Sequence, residues 1–254
     1  MKTILCGQDE THLAEAVQRF READYPLALT GAGISVPSGI ADFRSPGGLW
    51  SRFSPDEYAT LTAFRRTPQK AWSLYREMGL ELIGKQPNKA HLALAQLEQR
   101  GLLTGVITQN VDNLHQQAGS SNVVELHGDH QHLQCLQCGD VIAVTPAHYH
   151  AEHIPECPLC RYPYKPNVVL FEEAVRHLDR VERLVGRCDL LLVIGTSAQV
   201  YPAAGFPHAV RQNGGLLYEF NLEPALGATC RAGAHFFFSG NLIHSLPHFS
   251  AACI

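Results

Sequence analysis

Apolar residues recur along this chain in two rhythms, and the switch from one to the other marks out its elements. Across residues 11–22, Leu13, Ala16, Val17 and Phe20 fall on one face, the spacing of an amphipathic helix. Pro26 breaks that pattern and opens a short continuous apolar run, Pro26–Thr30, which ends in Gly31-Ala32-Gly33. A run of this kind predicts a strand buried on both faces that feeds a tight glycine turn. Comparable runs at 104–108, 189–194 and 215–220 predict three more buried strands, and helical patterns lie between them at 91–100, about 174–186 and 203–213. Strands alternating with helices imply an α/β body, a parallel sheet covered on both faces whose ligands gather at the strands' carboxyl ends.

Two stretches fall outside this alternation. Residues 41–87 are rich in aromatics and helical in places, with Trp72 and Tyr75 three apart on one helix face; residues 130–165 hold paired cysteines with several His and Pro. Both read as insertions that form a smaller domain, leaving 1–40, 88–129 and 166–254 for the sheet domain. With 254 residues and 45% hydrophobic content, the chain is long enough to bury a sizeable core. Its net charge of −4 and lack of any Lys/Arg run exclude nucleic acid as a direct partner. The amino terminus lacks the charge and apolar length of a signal peptide, and no window approaches the roughly 18 uninterrupted apolar residues of a membrane span. A soluble, cytoplasmic protein with no membrane partner is the expectation.

Cys135-Leu136-Gln137-Cys138 and Cys157-Pro158-Leu159-Cys160 are separated by 18 residues, the spacing of a four-cysteine zinc site. Four thiolates fill the metal's shell and leave no place for water, so Cys135, Cys138, Cys157 and Cys160 should hold one structural zinc that takes no part in chemistry. Cys6, Cys188, Cys230 and Cys253 have no such spacing and read as small core or surface residues. His130, His132, His148, His150 and His153, near the cluster, read as solvated rather than as a second metal site.

The glycine turn alone is a weak signal. Gly31 and Gly33 supply the first two glycines of a GxGxxG turn, but Val36 stands where the third would be, and no carboxylate follows about twenty residues on at the end of a second strand. The longer string Gly31-Ala32-Gly33-Ile34-Ser35-Val36-Pro37-Ser38-Gly39-Ile40-Ala41-Asp42-Phe43-Arg44 resembles the signature of the sirtuin (Sir2) family of NAD-dependent protein deacylases. Family-like strings follow in order: Thr108-Gln109-Asn110-Val111-Asp112-Asn113-Leu114-His115, His127-Gly128, the paired cysteines, Val168-Val169-Leu170-Phe171, Gly195-Thr196-Ser197 and Asn221-Leu222-Glu223. The likeness runs from about residue 12 to 250 and is closest to the short bacterial type.

The resemblance implies a Rossmann-type NAD-binding domain with a smaller domain made of a helical insertion and a zinc ribbon. It implies that NAD is consumed as co-substrate and that the partner is an acyl-lysine protein or peptide. The acyl oxygen attacks C1′ of the ribose as nicotinamide leaves, the 2′-hydroxyl attacks the imidate carbon, and water releases lysine and O-acyl-ADP-ribose. His127 is the implied general base, suited by titration near neutral pH, with Asn110 beside it. Gln109, Asn110 and Asp112 would line the nicotinamide and ribose pocket; Phe43 would shield C1′; Arg44 and the backbone of Gly31, Ala32, Gly33, Ile34 and Ser35 would face the diphosphate. Asp42 and Trp50 join the cofactor set. Gly195, Thr196, Ser197, Asn221, Leu222, Glu223 and Leu242 are assigned to the adenosine half. Tyr75, Val168, Val169, Phe171 and Val200 are the substrate contacts, the peptide lying extended between two loops.

Two departures bear on specificity. Where the family usually reads Phe-Gly-Glu, this chain has Phe171-Glu172-Glu173, which is expected to alter the backbone angle and disfavour acidic peptides. Members that remove succinyl or malonyl groups place an arginine three residues after a tyrosine; here Met78 follows Tyr75 at that spacing, which favours acetyl or longer apolar groups. Tyr75 also reads equally well as a core aromatic. Rival readings are a dehydrogenase, which the glycine turn alone permits, a zinc-ribbon binding module, and mono-ADP-ribosyl transfer at the same centre.

Overall fold

A computed structural model describes residues 1–229 and 233–254; Cys230 lies outside the described residues. Its strands are β1 (Lys2–Leu5), β2 (Pro26–Thr30), β3 (Gly105–Thr108), β4 (Val123–Glu125), β5 (Gly128–Cys135), β6 (Val141–Ala143), β7 (Tyr164–Val168), β8 (Leu190–Ile194), β9 (Leu216–Asn221) and β10 (Phe236–Ser239). A parallel sheet of seven strands runs in the order β1-β10-β9-β8-β2-β3-β4. The four strands expected from apolar runs are its contiguous centre, β9-β8-β2-β3, and every residue of β2, β3 and β8 is buried. Only strands with neighbours on both edges and helices on both faces need such continuous runs. The sequence pattern left β1, β4 and β10 undelimited; β1 and β4 are the edge strands with one buried residue each, too little for a continuous apolar run.

Each face of the sheet is sealed by its own cluster. Phe20, Leu94, Leu97, Phe220, Phe238 and Phe249 pack on one side, where helices Glu10–Arg21, Lys89–Gln99 and Leu242–Cys253 lie. Leu27, Ile107, Val181, Val185, Leu191 and Val210 pack on the other, under helices Leu178–Arg187 and Phe206–Gln212. Helix Leu178–Arg187 begins later than expected because His177 takes a left-handed φ of 56° just before it. The helix expected over 203–213 opens instead as a 3₁₀ turn, Ala203–Gly205.

The two stretches outside the alternation share a third cluster. Phe64, Trp72 and Tyr75 from the first meet Leu133, Tyr149 and Tyr164 from the second and Leu170 just beyond it, and Trp72 Nε1 donates to the carbonyl of Tyr164 at 2.7 Å. A small antiparallel sheet, β6-β5-β7, carries the cysteines. His130 departs from its expectation as a solvated residue: it is 3% exposed, with Nδ1 2.9 Å from the Tyr149 hydroxyl, and burial pushes its pKa down to about 4. Cys188 and Cys253 are buried and Cys6 is exposed, as small core and surface residues would be.

Candidate active site

Counting along the sheet from β2, the chain proceeds to β3 and β4 on one side and to β8, β9 and β10 on the other. The order therefore reverses between β2 and β8, where crossovers on opposite faces part and leave a crevice at the carboxyl ends. Two loops meet there. Gly33 N–H donates to the Gly195 carbonyl at 2.8 Å, and Gly31 N–H to that of Ile194 at 3.0 Å. A Cβ on Gly31 would lie 2.7 Å from Thr196 Cβ, and one on Gly33 would lie 2.8 Å from Gly195 Cα, so both glycines are required by contact with the loop after β8. Ile34 and Ser35 amides bond back to Gly31 and Ala32. The amides of Gly31, Gly33, Ile34 and Ser35 are thus already occupied, and a diphosphate would have to share them.

Ser35, at 1% exposure, is the hub of the crevice. Its hydroxyl donates to Asp112 Oδ2 at 2.6 Å and accepts from Asn110 Nδ2 at 3.2 Å, and Asn110 Nδ2 also lies 3.2 Å from the Gly31 carbonyl. The other Asp112 oxygen accepts from Leu114 N–H at 2.9 Å. Burial pushes the Asp112 carboxyl up, opposed by these two hydrogen bonds. Gln109 Nε2 donates to Thr196 Oγ1 at 3.0 Å, and Asn221 Nδ2 to the Thr196 carbonyl at 3.1 Å, so residues from the ends of β3, β8 and β9 converge on one crevice.

His127 lies beside this group with Nδ1 2.9 Å from the Gln109 carbonyl. A carbonyl only accepts, so the proton sits on Nδ1 and Nε2 keeps its lone pair. Burial holds the imidazole's pKa below its ordinary value, countered in part by the bond to Gln109. The ring is neutral at pH 7.

Phe43, Trp50 and Phe171 form an aromatic row, with ring centres 5.0 Å apart for the first pair and 6.4 Å for the second. Asp42 shapes the loop between Phe43 and Trp50: its carboxylate accepts from the amide and hydroxyl of Ser45. Arg44, Ser197, Leu222 and Glu223 are exposed, Ala32 and Val200 half-buried, and Leu242 opens the last helix behind its Asn241 cap. Val168 ends β7, and Val169 N–H donates to the His127 carbonyl at 2.7 Å, which ties the expected peptide edge to the expected base. Tyr75 is 1% exposed in the insertion cluster with its hydroxyl unpartnered, and burial drives its pKa well up. Glu172, where the family usually has glycine, takes a φ of 75°, in the left-handed region that glycine adopts freely.

Sequence reasoning gave no role to His91 and His115. Asn88 N–H points at His91 Nδ1 at 3.3 Å, so Nε2 carries the proton toward Ser35 Oγ, 3.4 Å away. His115 Nε2 is 2.9 Å from Thr30 Oγ1, which bonds Thr108 Oγ1 at 2.8 Å. The signal available was the capping pattern from Asn88 to His91, which by itself reads only as a helix start.

The four cysteine sulfurs lie within 4.8 Å of one another. Cys135–Cys160 is 3.4 Å, Cys138–Cys157 3.5 Å and Cys138–Cys160 3.7 Å. A zinc tetrahedron with Zn–S bonds of about 2.3 Å has edges of about 3.8 Å, whereas a disulfide needs about 2.05 Å, so the set fits a metal. The crevice likewise fits a dinucleotide in its chemistry: amides, hydroxyls and one carboxylate offer donors and acceptors for a carboxamide and ribose hydroxyls.

The model of the Sir2 family matches residues 31–202. The chain belongs to the Sir2 family. Among curated Sir2 relatives, an NAD-dependent protein deacetylase of Caldivirga maquilingensis is 46% identical over 203 residues, 79% of each chain. An NAD-dependent protein deacylase of Pyrococcus furiosus is 39% identical over 241 residues, 92% of this chain and 95% of the relative. The solved complex of a Sir2 homolog with NAD superposes with a TM-score of 0.88 at 37% identity, covering 98% of this chain and 94% of that one. A complex of Sir2, a p53 peptide and NAD gives a TM-score of 0.82 at 33% identity, covering 91% and 94%.

Proposed function

We propose that this Sir2 protein is an NAD-dependent protein-lysine deacylase acting on acetyl or longer apolar acyl groups. The observation that carries the reading is the convergence of Ser35, Asn110, Asp112 and Gln109 with an imidazole whose Nδ1 is fixed on the Gln109 carbonyl. When bound, NAD supplies a ribose carbon that turns electrophilic as nicotinamide departs, next to a 2′-hydroxyl that can lose its proton. Asp112, braced by Ser35 and Leu114, accepts from the carboxamide. Asn110, its amide nitrogen fixed on Gly31 and Ser35, presents its oxygen toward the ribose. His127 Nε2 takes the hydroxyl proton. Phe43 and Trp50 exclude water. Thr196, Ser197, Asn221, Leu222, Glu223 and Leu242 line the adenosine side, and Arg44 faces the diphosphate.

In this reading the acyl-lysine peptide lies along Val168–Phe171 opposite Val200, as an added strand would. The sheet domain is built from 1–40, 88–129 and 166–254, and the two insertions carry the other wall of the crevice with the zinc as their staple. No helix of the described residues is long and apolar enough to cross a membrane. None of the seven cysteines of the described residues is in a disulfide, and four of them converge as a metal-ligand set, which supports a reducing, cytoplasmic setting.

Mass spectrometry after incubation with NAD and an acetyl-lysine peptide is expected to find nicotinamide, free lysine peptide and O-acetyl-ADP-ribose in equal amounts, with no reduced cofactor. His127→Ala should abolish turnover while NAD binding persists; deacylation surviving in that variant removes the base. On one peptide sequence, kcat/KM for acetyl should exceed that for succinyl by at least about tenfold, the worth of a charge-assisted contact that Met78 cannot make. Faster desuccinylation would reverse the assignment.

A further inference from the structure

Glu172 occupies the left-handed region at φ 75°, and its side chain folds back so that Oε2 accepts from Thr62 N–H at 2.9 Å and from the Thr62 hydroxyl at 2.7 Å. Those two bonds, with Arg65 adding to them, hold its carboxyl below the usual carboxylate range. The backbone beside it is also paired: Phe171 N–H donates to the Ala59 carbonyl at 3.0 Å, and Leu61 N–H to the Phe171 carbonyl at 3.0 Å. Thr60, between them, caps helix Leu61–Arg66 through Ala63 N–H. A residue with a Cβ stays left-handed only where its surroundings impose it, and such positions gather at ligand-binding loops. Here a carboxylate and two backbone bonds impose it. The result is that Phe171, 42% exposed, is held with its ring 6.4 Å from Trp50, so that the loop after β7 and the loop after the glycine turn meet at one aromatic row.

We propose that Glu172 is a positioning residue for the acyl-lysine peptide: clamped onto Thr62, it holds the Phe171 ring against Trp50 and fixes the Val168–Phe171 edge before substrate arrives. The inference rests on the reading that the peptide lies along that edge. Pre-ordering a loop strengthens ground-state and transition-state binding equally, so the clamp lowers the peptide KM and leaves kcat and the NAD KM alone.

Steady-state kinetics with NAD and an acetyl-lysine peptide test this on the full chain. Glu172→Ala should raise the peptide KM about five- to tenfold, as expected for lost hydrogen bonds to a charged group, with kcat within about twofold of the parent. Thr62→Val should raise it less, and the double variant should match Glu172→Ala alone, because both act through one clamp. Glu172→Gly should raise the peptide KM while keeping or increasing Tm, since glycine relieves the backbone; a merely structural residue would lower Tm. An unchanged peptide KM in Glu172→Ala, a loss confined to kcat, or full additivity with Thr62→Val overturns the clamp. Phe171→Ala separates the two ideas: an unchanged peptide KM there removes the peptide edge itself, whereas a raised KM there with a normal Glu172→Ala removes only the clamp.

Discussion

Ser35 shows how much of the site hangs on single atoms. One hydroxyl donates to Asp112 and accepts from Asn110, with the His91 ring behind it. Ser35→Ala would leave a buried carboxylate short of a donor, a loss that corresponds to about ten- to a hundredfold in kcat/KM for NAD. Steady-state assays check it, and a near-normal value would show that Asp112 is oriented without Ser35. The pattern of the sequence placed Ser35, Asn110 and Asp112 in one set, because each lies in a motif string. It gave His91 no part, since the bond to Ser35 spans 56 residues and leaves no local trace.

At the scale of elements, the cysteine hairpins and the glycine loops make opposite demands. β6 is only three residues long with none of them buried, and Cys138 and Cys160 lie outside the strands at exposed or half-buried positions, so the four ligands secure this end of the small sheet. A strong chelator should remove one zinc per chain and lower Tm by more than about 5 °C, read by metal analysis and calorimetry together. Metal loss without any change in Tm would show that the hairpins stand alone. The spacing of the cysteines was legible because ligand geometry is local. The need for Gly31 and Gly33 was legible only as a turn; that their amides and missing Cβ atoms serve the loop after β8 depends on two segments more than 160 residues apart.

For the whole molecule, buried imidazoles tie stability to pH. Desolvation lowers His91 to about 4 and His115 to about 3, whereas both titrate near about 6.5 when unfolded. The unfolded chain therefore binds more protons below pH 6.5, so the stability is fully present above that value and is lost as pH falls toward 4 and then 3. Urea midpoints should drop steadily from pH 6.5 to 4, and His91→Gln should flatten that slope; an unaltered slope would place the protons elsewhere. The amino-acid sequence by itself determined the central strands, the zinc ligands and the order of the motif strings, since apolar runs, ligand spacing and turn glycines are written in adjacent residues. Only the tertiary structure decided that Tyr75 is buried with an unpaired hydroxyl, that His127 points Nδ1 at Gln109, and that Glu172 keeps a left-handed backbone by gripping Thr62. Each of these depends on a partner brought close by folding, and a hydrogen bond or an unfilled one does not exist until that partner arrives.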